Sequence, residues 1–104
     1  MSRHSGIVMQ TIRVDYATNN VATNAYYQLD AALNGNSRYA EIFDSGGQTM
    51  HLAVGASGSE VEVKKIMPGG SGLIPLRLDL GQRLAIKAVS ANVSTGELVI
   101  DLYY

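Results

Sequence analysis

Ile74-Pro75-Leu76-Arg77-Leu78-Asp79-Leu80 sets an aliphatic side chain at every second residue, with proline, arginine and aspartate between them. A period of two is the spacing of a strand with one buried face. Pro75 has no N–H to give to a ladder, so this strand belongs at a sheet edge, or has Pro75 near its start. Toward the C-terminus the zigzag recurs in Leu84, Ile86 and Ala88. It returns in Leu98, Ile100, Leu102 and Tyr104, which alternate with Glu97, Val99, Asp101 and Tyr103 up to the last residue. A two-residue turn at Gly81-Gln82 would set inward Leu80 against outward Arg83, so the parity predicts an odd-length loop there. Toward the N-terminus, Ile12, Val14 and Tyr16 share one parity against Thr11, Arg13 and Asp15. Ala25, Tyr27 and Leu29 do the same against Tyr26, Gln28 and Asp30. Asp30-Ala31-Ala32-Leu33 is too short for a helix before Asn34-Gly35-Asn36 stops it, and reads as a loop.

The middle of the chain reads as a hairpin. Ile42 and Met50 point inward, which pairs Asp44 with Gln48 around a Ser45-Gly46-Gly47 loop. Met50, Leu52 and Val54 face the core; past a turn at 55–58, Val61 and Val63 continue inward while Glu60, Glu62 and Lys64 point out. The phase slips by one at Lys64-Lys65 before Ile66, which predicts a β-bulge. Pro68-Gly69-Gly70-Ser71-Gly72 reads as a hairpin loop. About eight short strands with no room for crossover helices predict an all-β chain, an antiparallel β-sandwich of jelly-roll or Greek-key type. A small barrel is the alternative. Residues 1–8 read as a flexible N-terminal arm and 9–104 as a single β-sandwich domain.

Charged residues make up 16% of the chain, below the roughly 25% usual in soluble domains, so uncharged polar groups and glycine fill much of the surface. Such a surface tolerates close contact with other protein. The net charge is −1 and the basic residues are scattered apart from Lys64-Lys65, which argues against nucleic acid as a partner. There is no cysteine, hence no disulfide and no thiolate metal site. No run approaches the about 18 apolar residues of a membrane-spanning helix, and residues 1–6 lack the apolar stretch of a signal peptide, so synthesis in a cytoplasm without a membrane partner is expected. Asn92-Val93-Ser94 has sequon spacing but reads as a polar turn.

Candidate chemistry is sparse. His4 and His51 are the only histidines, and neither sits in a nucleophile–base motif. Zinc would need more His or Cys ligands than the chain carries. Glu60 and Glu62 share a strand face, but their alternation with Val61 and Val63 makes them solvated rather than a buried acid–base pair. Pro68–Gly72 lacks the Gly-Lys-Ser/Thr ending of a phosphate loop, and Asp44 alone is too little for calcium. The reading is a non-enzyme with no catalytic, cofactor or metal residues.

More telling are apolar residues on the outward parity: Tyr39, Phe43, Val99 and Tyr103, with Tyr26, Ala85 and Val89. Tyrosine joins buried area to a hydrogen-bonding tip and suits protein interfaces. The candidate interface set is Tyr26, Tyr39, Phe43, Val99 and Tyr103, with Arg3 and His4 of the polar leader reaching across to a neighbour. Alternatively, Tyr26, Tyr27, Tyr39 and Tyr103 form a sugar platform, although tryptophan is absent.

Three stretches together carry a resemblance: Glu41-Ile42-Phe43-Asp44-Ser45-Gly46-Gly47-Gln48 running on to Leu52-Ala53-Val54-Gly55; Pro68-Gly69-Gly70-Ser71-Gly72; and Leu84-Ala85-Ile86-Lys87-Ala88-Val89 with Gly96-Glu97-Leu98-Val99-Ile100-Asp101-Leu102-Tyr103. They resemble small β-rich virion structural proteins of tailed bacteriophages. The resemblance implies a non-enzymatic role in many copies, as a capsid decoration or cement protein on the major capsid protein lattice, with a homo-oligomer, such as a trimer, as its form. A tail or head–tail junction accessory protein is the neighbouring expectation, and a carbohydrate-binding β-sandwich module the competing one. Localisation would be the virion, after synthesis in the host cytoplasm.

Overall fold

The computed structural model describes residues 7–104. Its strands are β1 (Val8–Asp15), β2 (Tyr27–Ala32), β3 (Ser37–Asp44), β4 (Met50–Val54), β5 (Val61–Ile66), β6 (Gly69–Leu78), β7 (Arg83–Ala88) and β8 (Glu97–Tyr103). They form two four-stranded sheets, in the orders β1-β8-β3-β6 and β2-β7-β4-β5, with every pairing antiparallel. Successive strands cross from one sheet to the other except at β4–β5, which pair directly. That order defines a jelly-roll sandwich, and two separate sheets rule out the small barrel. β1 begins at Val8, one residue inside the stretch expected to be an arm.

The inward parity builds the core. Ile12 and Val14 of β1, Leu98, Ile100 and Leu102 of β8, and Ala40 and Ile42 of β3 meet Leu29, Leu84, Ile86, Met50 and Leu52 from the opposing sheet. On β3, Ala40, Ile42 and Asp44 are buried in alternation with exposed Glu41 and Phe43, while Ser37 is buried out of phase, across a register shift. Tyr104 is an exception, at 65% exposure, because β8 stops at Tyr103.

Several local expectations yield to this connectivity. β3 and β4 do not form a hairpin: Asp44 pairs with Leu98 and Gly69, and Met50 with Ala88 and Ile66. Both strands point the predicted residues inward, but from opposite sheets. The β6–β7 link likewise crosses sheets, so hairpin parity does not govern it. Leu80 sits exposed in a turn closed by Gln82 N–H donating to the Asp79 carbonyl at 3.1 Å. Asp30 to Ala32 continue β2 rather than forming a loop. Gly69 to Gly72 are strand, not loop. Two β6 residues, Ser71 and Gly72, stand against Ile42 alone, and the Ile42 N–H donates to Ser71 Oγ at 2.9 Å. Gly72 absorbs this bulge at φ +67°, where a side chain is strained.

The β5 bulge is real but falls one residue earlier than read. Leu52 pairs with Lys64 and Ala53 with Glu62, so Val63 is the extra residue and Lys64 turns to the inner side of the sheet. Val61 and Val63 are 67% and 47% exposed, because β5 ends its sheet and no described residue covers them there.

Among the described residues one carboxylate enters the core. Asp44 is buried; its Oδ1 accepts from Tyr16 Oη at 2.7 Å and from the Gly46 N–H at 3.2 Å, while Oδ2 has no partner among the described residues. Burial pushes the Asp44 carboxyl up from its ordinary value, against the lowering effect of the Tyr16 and Gly46 bonds. The Tyr16 hydroxyl is pushed up further, first by burial and then by Asp44. Beside them Gly96 adopts φ +86°, and a Cβ there would strike the Ser45 carbonyl.

Candidate functional site

Pairing register decides which outward side chains become neighbours. On the outer face of the β1-β8-β3-β6 sheet, Val8, Tyr103, Tyr39 and Pro75 lie in one row across the strands. The next row is Thr11, Asp101, Glu41 and Leu73, and the third is Arg13, Val99, Phe43 and Gly70. Directly opposed side chains lie about 5 Å apart at Cβ, so Tyr39, Phe43, Val99 and Tyr103, singled out by parity alone, share one continuous surface. Phe43 is 51% exposed, Leu73 42% and Tyr39 38%, whereas Tyr103 is nearly buried beneath its neighbours.

Glu41 and Asp101 oppose each other in the middle of this apolar surface. Tyr103 Oη donates to Glu41 Oε1 at 3.3 Å and Thr11 Oγ1 to Asp101 Oδ1 at 2.6 Å. Burial, then the negative charges of Glu41 and Asp101, push the Tyr103 hydroxyl up from its ordinary value. The face is therefore aromatic and aliphatic at its edges and anionic at its centre.

The remaining predicted interface residues lie elsewhere. Tyr26 sits against the other sheet, its ring 4.6 Å from Lys87 Nζ in a cation–π contact. Tyr26 and Tyr39 thus serve different faces, Tyr27 packs on the core and Tyr103 is covered, so the four tyrosines make no single sugar platform. Ala85 also belongs to the second face, where it is fully buried, and half-buried Val89 donates its N–H to the Thr49 carbonyl. Arg3 and His4 lie outside the described residues. Leu73 and Pro75 lie on the same face as Tyr39 and Phe43 but were not among the residues singled out by parity. They join Tyr39 and Phe43 only through the β3–β6 pairing, which no local pattern announces.

The outer face of the β2-β7-β4-β5 sheet is polar. His51 Nδ1 lies 2.7 Å from Glu62 Oε1, and Lys65 Nζ donates to Glu62 Oε2 at 2.9 Å. Gln28 Nε2 donates to both the Gly55 carbonyl and Glu60 Oε2 at 2.9 Å. The Lys65 bond is the main reason the Glu62 carboxyl is held below its ordinary value, and the Gln28 bond does the same for Glu60. Ala53 and Ala85, with no accessible surface, form the floor beneath this layer. Both glutamates thus hydrogen-bond to neighbouring side chains on this face. Among the described residues no three His, Asp or Glu side chains gather to hold a metal, and no helix is long and apolar enough to cross a membrane.

No protein-family model and no curated protein matches the chain. Among solved structures, it is similar to the Eiger TNF from S. frugiperda, at 9% identity and a TM-score of 0.49, over 90% of this chain and 85% of that one. The fold assignment stands on the strand order itself: the chain is a jelly-roll β-sandwich.

Proposed function

We propose that this chain is a non-enzymatic virion structural protein, a capsid decoration protein that docks on the major capsid lattice through the outer face of its β1-β8-β3-β6 sheet. The observation that carries the reading is the exposure of Phe43, Leu73 and Tyr39 together on one sheet face. Exposed apolar patches of this kind mark protein contacts, and Phe and Tyr are enriched where interfaces bury their centres. The sequence resemblance to virion proteins of tailed phages supplies the setting. Repetition on a lattice would make individually weak contacts sufficient, and self-association, as a trimer for example, belongs to the same reading.

The test is co-sedimentation of purified protein with phage shells stripped of it. Saturable binding in many copies per shell, lost in Phe43→Asp with the fold intact, is the expected result. Binding to tails or connectors in small symmetric numbers would move the role to the head–tail junction, and binding to none of these would overturn the virion reading.

A further inference from the structure

β5 closes one sheet and β6 the other, and these two free edges lie on the same side of the sandwich. Between them opens a cavity of about 200 Å³. Its walls are Ile42, Ile66 and Ile74, with Met67 and Pro68 at the crossing from β5 to β6. The volume suits one leucine- or phenylalanine-sized group and falls short of the roughly 300 Å³ at which pockets for drug-sized ligands begin.

Two features say what enters. Lys64, turned inward by the Val63 bulge, lines the cavity half-buried. Its neighbour Lys65 is bound to Glu62, but among the described residues Lys64 has no ion pair or side-chain hydrogen bond. An apolar cavity with one unpaired cation at its lip is complementary to an apolar group that has a carboxylate close by. The second feature is the β6 edge itself. From Gly69 to Ile74 it runs along the cavity, paired among the described residues with β3 alone, and Pro75 then ends its donor row. A strand added there extends the β1-β8-β3-β6 sheet, and alternate side chains of that strand point between the sheets, into the cavity.

We infer that the β5–β6 cleft is a peptide-binding site. Its occupant is an extended segment of a partner protein that pairs with the β6 edge, inserts one large apolar side chain among Ile42, Ile66 and Ile74, and sets an acidic residue against Lys64. This site is separate from the sheet face of the proposed docking role and does not depend on it.

The experiment is selection of a displayed random-heptapeptide library on the wild-type protein, followed by amide chemical-shift mapping of a selected peptide. The expected motif is a large aliphatic or aromatic residue within two positions of Asp or Glu, shifting amides of 64–74. Changing its apolar residue to Ser should weaken binding about ten-fold or more, the transfer cost of a buried side chain. Lys64→Gln should weaken it about two- to five-fold, as for a partly exposed ion pair, and Lys64→Glu more; both changes lie at a half-buried surface position and should leave the fold intact. No enrichment, a motif without an acidic residue, affinity indifferent to Lys64→Glu, or shifts confined to the Tyr39–Phe43 face would each overturn the assignment. Hexanoate binding as tightly as the peptide would overturn it too, by showing that the edge strand adds nothing.

Discussion

Tyr16→Phe deletes the one hydroxyl that reaches Asp44 Oδ1 while leaving the ring in a site with no solvent exposure. Among the described residues Asp44 is left with the Gly46 N–H alone, its Oδ2 being already without a partner there. A hydrogen bond to an ionised group contributes about 1.5–3 kcal/mol and one to a neutral group about 0.5–1.5 kcal/mol. The loss should therefore be about 2 kcal/mol where Asp44 is ionised and about 1 kcal/mol where it is protonated. Asp44 has its folded pKa raised, so the folded chain holds that proton more tightly than the unfolded chain does. Its contribution to stability is fully present below the unfolded pKa and is lost as pH rises through the folded one. Removing Tyr16 Oη raises the folded value further, so the penalty must grow with pH. Urea unfolding of wild type and variant from pH 3 to pH 8 would show it as a midpoint shift of about 1–2 M at the upper end, narrowing toward acid. An unchanged midpoint, or a penalty larger at pH 3 than at pH 8, would refute the account.

Asp44→Asn should abolish the stability decline that Asp44 imposes as pH rises from its unfolded to its folded pKa, visible when its pH–stability profile is laid over that of wild type. Glu62→Gln acts with the opposite sign. The folded Glu62 carboxyl is held low, so its contribution exists above its unfolded pKa and is lost as pH falls through the folded value, and the variant should lose part of the acid-side dependence in the same measurement. Gly96→Ala, at φ +86° with the Ser45 backbone in the way, should cost more than about 1 kcal/mol by denaturant titration. Leu98→Ala, fully buried in β8, should cost about 2–5 kcal/mol in the same assay.

Strand existence and facing were legible because burial on one side writes a period of two directly into the residues, as at Ile12, Val14 and Tyr16 or Leu98, Ile100 and Leu102. Connectivity was not. Ile42 and Met50 carry the same parity whether their strands pair with each other or face each other across the core, so a crossover and a hairpin look alike from within. Gly69 to Gly72 looked like a loop because glycine marks turns and bulges equally. Val61 and Val63 looked buried because a zigzag cannot tell a central strand from an edge. On the outer face of the β1-β8-β3-β6 sheet, Tyr39, Phe43, Val99 and Tyr103 were found by parity alone, while Leu73 and Pro75 needed the β3–β6 register.

Thr11 and Asp101, hydrogen-bonded across β1 and β8, stand 90 positions apart in the chain. Among the described residues β1 has no other strand partner, and β8 is the strand that joins it to β3. β1 therefore cannot join β3 and β6 in this sheet until β8 is in place. Such non-local closure places folding in the millisecond-to-second range, slow for so small a domain. Until then the edges of β1 and β3 and the exposed aromatic residues beside them are open to other nascent copies, so yield in the cell should depend on how fast the chain is made.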